Sequence, residues 1–129
     1  MQKQISYSGI FLDYIEVLRS ATQHLTSAEE LSKLLVLPET VWNAVVMDEA
    51  RGTAHAKEIL NTMNNFSEPQ KTSGRRMVEY WIQRKKENFA EYKWSVTHSV
   101  RKNPSGGLII QVEARDLQEQ QEVQNNSVE

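Results

Sequence analysis

A chain of 129 residues, 39% of them hydrophobic, is long enough for one domain with its own core. A formal net charge of -2 and the absence of cysteine exclude a globally basic protein, a disulfide framework and a thiolate metal site. Met1-Gln2-Lys3-Gln4 leads into no signal-peptide apolar run, and nothing approaches the roughly 20 apolar residues that span a bilayer, so a cytoplasmic chain without a membrane partner is expected.

Taken in order, Ile10 to Leu25 carries apolar residues at helical spacing: Phe11, Tyr14, Ile15, Leu18, Ala21 and Leu25. The pattern predicts one amphipathic helix capped by Ser8. Thr26…Glu29 and Ser27…Glu30 both have capping-box spacing, so a second helix starts there with Leu31, Leu34 and Leu35 on its apolar face. Pro38 is expected to end it, and Glu39 or Thr40 to begin another. Val41 to Met47 is apolar nearly all round, which predicts a helix buried on several sides with Trp42 in the core. Gly52 interrupts or kinks the pattern, and a more polar helix with a thin apolar stripe runs to about Met63. A loop of Asn, Ser and Pro character spans 64–70.

A long helix follows, capped by Ser73, with Val78, Trp81, Ile82, Phe89 and Tyr92 on one face. Trp94, Val96, His98 and Val100 then alternate with polar residues, as do Leu108, Ile110, Val112 and Ala114 with their neighbours. Asn103-Pro104-Ser105-Gly106-Gly107 between them makes this a β-hairpin over about 92–114. Two strands alone are marginal in water, so the hairpin must pack on helices or pair with another chain. Leu117 onward is Gln, Glu and Asn with two lone valines, and reads as a disordered tail. The fold class is therefore mainly α: a bundle of four or five helices with a C-terminal β-hairpin, one domain over 1–116, and a tail over 117–129.

The segment from Ala28 to Val41 resembles the helix-turn-helix pattern, with Leu31, Leu35, Leu37 and Thr40-Val41 matching in kind. It departs from the pattern where Val36 stands at the usual turn glycine and where the spacing is about one residue short. Its recognition helix would offer bases mainly Asn43 and phosphates mainly Arg51, beside repelling Asp48 and Glu49.

Enzyme chemistry has little support. His24, His55 and His98 are scattered, and His55 shares a helix face with Asp48 and Glu58 only, fewer ligands than a metal centre needs. No phosphate-binding glycine loop follows a strand, and no serine sits in a nucleophile elbow. No catalytic residue, metal or cofactor is expected.

The charge distribution is more informative. Residues 71–102 carry nine Lys and Arg against three acidic residues, while the segments on either side are each net -4. Arg75, Arg76, Arg84, Lys86, Lys93, Arg101 and Lys102 are the expected phosphate contacts, because cations beside aromatic residues can neutralise a nucleic-acid backbone. The expected function is non-enzymatic: a small subunit or accessory protein that contacts nucleic acid with low sequence specificity inside a larger nucleoprotein assembly. Helical small subunits of RNA-guided effector complexes offer an analogy of form. The alternatives are an interaction module that binds an acidic protein partner, and a helix-turn-helix DNA-binding regulator.

Overall fold

The computed structural model describes residues 7–23, 25 and 27–116. The predicted tail over 117–129, His24 and the alternative cap Thr26 lie outside the described residues. The elements are α1 (Tyr7–Tyr14), a 3-10 turn (Glu16–Leu18), α2 (Arg19–Thr22), α3 (Ala28–Arg51), α4 (His55–Met63), α5 (Gln70–Asn88), β1 (Trp94–Lys102) and β2 (Leu108–Asp116). The mainly helical architecture with a C-terminal hairpin is as expected. The two strands pair antiparallel from Trp94↔Asp116 to Lys102↔Leu108.

The single first helix is not formed; the chain breaks after Tyr14. A continuing helix would bond Asp13 O and Tyr14 O to the amides four residues on. Instead Arg84, some seventy residues away, donates from Nε to Tyr14 O at 2.7 Å and from Nη2 to Asp13 O at 2.6 Å. The guanidinium thus caps the C-terminus of α1. Leu18 N turns to Ile15 O at 2.8 Å and tightens the next turn into 3-10 form.

The stop at Pro38 is also corrected: α3 runs unbroken from Ala28 to Arg51 with Pro38 inside it. Its start is the expected one, with Ser27 Oγ accepting from Glu30 N at 3.3 Å. A proline within a helix costs about 3 kcal/mol. Here Leu31, Leu35, Pro38, Val41, Trp42 and Val45 form one buried stripe, and their burial offsets the missing hydrogen bond. Without a turn at Pro38, this segment does not build the two-helix unit that a helix-turn-helix reading requires. Gly52 does not kink a helix; it ends α3 in the left-handed conformation, φ 67°, with its N–H on Asp48 O at 2.8 Å.

Asp48 then starts α4 from outside. Its Oδ1 accepts from Thr53 Oγ1 and His55 N, and its Oδ2 from Ala56 N at 3.0 Å. Burial works to raise its pKa, but these donors outweigh that and hold the carboxyl below its ordinary value. α5 begins at Gln70, three residues before the expected Ser73 cap, with Pro69 as its N-cap residue. At Gly74 a Cβ would lie 2.7 Å from Met63 Sδ, so the glycine leaves room on α5 for the Met63 side chain of α4.

Trp42 occupies the centre. It is fully buried, and its ring lies 4.9 Å from Tyr14, 5.0 Å from Trp94 and 5.8 Å from Phe89. The hairpin lays its inner face, Trp94, Val96, Val100, Ile110 and Val112 among it, against this core. Side chains of α3 bind the outer edge of β1. Trp42 Nε1 donates to Trp94 O at 2.9 Å, Asn43 Nδ2 to Val96 O at 2.8 Å, and Val96 N to Asn43 Oδ1 at 2.7 Å. A side-chain amide here takes the place of a neighbouring strand.

Candidate nucleic-acid interface

Helical phase divides the cations of α5. Val78, Trp81 and Lys85 lie on the buried face, so of the consecutive Arg84-Lys85-Lys86 the middle residue points into the core. Lys85 is 0% exposed. Its Nζ donates to Phe89 O at 2.7 Å and Tyr92 O at 3.0 Å, and sits 4.6 Å from the centre of the Trp42 ring. These carbonyls lie at and just beyond the C-terminus of α5, where a cation is favoured by the helix dipole. Burial nevertheless lowers its pKa to about 8, with Glu49 raising it and Lys93 lowering it further.

The expected phosphate contacts are divided in the same way. Arg84 is half-buried, capping α1 with its guanidinium 5.4 Å from the Phe89 ring centre. Arg75 ties α5 to α4: Nη1 donates to Asn64 Oδ1 at 2.9 Å and approaches Leu60 O at 3.5 Å, while Nη2 lies 4.0 Å from Glu79. Lys93 follows the helix rather than extending it, and its Nζ is 3.5 Å from Glu49 on α3. Arg76 and Lys86 on α5, and Arg101 and Lys102 at the distal end of β1, are exposed and make no ion pair among the described residues. Tyr80 and Met77, 42% and 50% exposed, lie on the outer side of α5. Its surface thus carries separated cations, not one continuous basic strip.

A second cluster joins residues that no local pattern connected. His98 Nε2 lies 3.0 Å from Ser32 Oγ, and His98 Nδ1 lies 3.0 Å from Glu39 Oε1. The order hydroxyl–imidazole–carboxylate is that of a nucleophilic relay. Its other contacts describe a clamp. Glu39 Oε1 also accepts the His98 backbone N–H at 2.6 Å, and Nε2 is 3.1 Å from the Ser32 carbonyl. Ser32 lines neither the cleft bordered by α1, α2 and the hairpin loop nor the groove between α3 and α4. The cluster fastens β1 to α3 beside the Asn43 contacts. A signal for it existed in the sequence, since His98 is a polar residue set between Val96 and Val100 in the core-facing alternation of β1. Lys85 was legible too, three and four residues from Ile82 and Trp81 on the buried face. His55 meets Glu58 at 3.4 Å on the surface, and no group of three metal-binding side chains occurs among the described residues.

No helix among the described residues is long and apolar enough to cross a membrane. Comparison with protein-family models, curated proteins and solved structures returned no match, so the functional reading rests on the geometry of this chain alone.

Proposed function

We propose that the protein is a non-enzymatic accessory subunit that contacts a nucleic-acid backbone within a larger cytoplasmic nucleoprotein assembly. The observation that supports this is the fate of the basic segment. Arg75, Arg84 and Lys85 bond to groups within the fold and the exposed Lys93 pairs with Glu49, yet Arg76, Lys86, Arg101 and Lys102 remain exposed and unpaired among the described residues. In a chain of net charge -2, such cations serve local attraction of an anion better than general solubility. Their distribution suits a polyanion that passes over the surface, with phosphate contacts that position it without specifying sequence.

The test is the salt dependence of binding to duplex and single-stranded nucleic acid. Each phosphate contact adds about 0.7–0.9 to the slope of log affinity against log salt. Changing Arg76 and Lys86 together to Gln should reduce that slope by about 1.5 and weaken binding on every sequence, with an unchanged circular dichroism spectrum. If the slope and affinity of the folded variant match those of the wild type, these residues do not contact phosphate. Absence of any binding at low salt, with capture of an acidic protein instead, would move the cations to a protein interface.

A further inference from the structure

The hairpin is anchored on one face and open on the other. Trp42, Asn43 and Glu39 hold the β1 edge, and Ser8 Oγ accepts from Val112 N at 3.1 Å on the β2 edge. The opposite face pairs Thr97 with Glu113, Ser99 with Gln111, and Arg101 with Ile109. Thr97, Ser99, Arg101, Gln111, Glu113 and Arg115 are all exposed. This is a firmly mounted two-stranded ribbon whose free face is a row of hydroxyl, amide, carboxylate and guanidinium groups.

We infer that this outer face reads base edges in the major groove of duplex DNA. Base reading by the ribbon presupposes the nucleic-acid contact proposed for the cations and adds sequence discrimination to it. Strands about 4.8 Å apart form a ribbon that enters a groove about 12 Å wide. The residue types are those that distinguish base pairs there. Arginine pairs with guanine O6 and N7, glutamine with adenine N6 and N7, glutamate with the cytosine amine, and Ser or Thr with either kind of partner. Charge is complementary as well: the outer face carries Arg101 and Arg115 against the single carboxylate of Glu113. A-form RNA does not fit, because its major groove is too narrow for a ribbon.

The experiment uses the full chain. A preferred sequence is selected from a randomised duplex DNA pool, and affinities for it and for a shuffled duplex are measured by fluorescence anisotropy. The selected duplex should bind at least about tenfold more tightly. Gln111→Ala should lower affinity for the selected duplex by about tenfold and leave the shuffled duplex unaffected. Replacing the purines of the selected site with 7-deazapurines, which lack the major-groove N7 acceptor, should have the same effect on the wild-type protein. Because Gln111 is exposed, its variant keeps the fold, which circular dichroism checks. Binding that persists without sequence preference, or a preference unchanged by Gln111→Ala, overturns base reading while leaving backbone contact intact. Preference for single strands or for duplex RNA overturns it equally. Absence of binding to any nucleic acid removes backbone contact as well.

Discussion

Replacing Lys85 by methionine tests the division of the α5 cations most directly. Methionine keeps the methylenes against Trp42 and removes only the ammonium group. Two terms oppose one another. The Phe89 and Tyr92 carbonyls lose their donor, at about 1–3 kcal/mol each. Against this, the desolvated charge disappears. A pKa lowered from 10.5 to about 8 corresponds to about 3 kcal/mol, at about 1.4 kcal/mol per unit. Near pH 7 the substitution should therefore change stability by no more than about 2–3 kcal/mol. The pH dependence is the sharper readout. The unfolded chain keeps the Lys85 proton up to about 10.5, whereas the folded chain releases it at about 8. Between those values the unfolded state binds more protons, so stability rises with pH. The contribution is complete above the unfolded value and is lost as pH falls through about 8. From about pH 7 to about pH 9 it adds on the order of 1 kcal/mol. Tyr14 works in the opposite sense. Burial raises its hydroxyl pKa far above the ordinary 10, partly offset by Arg84, so its contribution is present below 10 and lost as pH climbs through and beyond it. The window therefore ends near pH 9. Urea unfolding followed by circular dichroism, on both proteins at both pH values, gives the difference directly. The wild type should gain on the order of 1 kcal/mol relative to Lys85→Met. Parallel behaviour of the two proteins would show that the ammonium pays no desolvation penalty, and the buried placement of Lys85 would be wrong.

Two further substitutions test how the hairpin and the core are held. Asn43→Ala removes both bonds to the backbone N–H and C=O of Val96 and should cost about 2–4 kcal/mol, with amide hydrogen exchange accelerated first at Val96; an unchanged exchange rate there would mean that α3 does not hold the strand edge. Trp42→Ala should cost about 3–5 kcal/mol in urea unfolding, because the ring is fully buried and its Nε1 serves Trp94 O. Wild-type stability would refute its central place.

Local signals in the sequence carried much of this architecture. The two-residue alternation of 94–100 and 108–114, with a glycine-containing loop between, was enough to place the hairpin and its inner face, because strand periodicity is set by adjacent residues. The Ser27 cap, the apolar surroundings of Trp42 and the basic character of 71–102 were equally local. Pro38 misled because its cost is local and its compensation is not: the stripe from Leu31 to Val45 is buried by elements distant in the chain. The break after Tyr14 was hidden for the same reason, since the carbonyls that end α1 are taken by Arg84 from α5. The cations of the basic segment followed a mixed rule. Sequence determined that the charge is concentrated between Lys71 and Lys102. Tertiary structure alone decided which of those side chains cap helices, which enters the core beside Trp42 and which remain in water, because each choice depends on the acceptors that a distant element brings within about 3 Å of the cation.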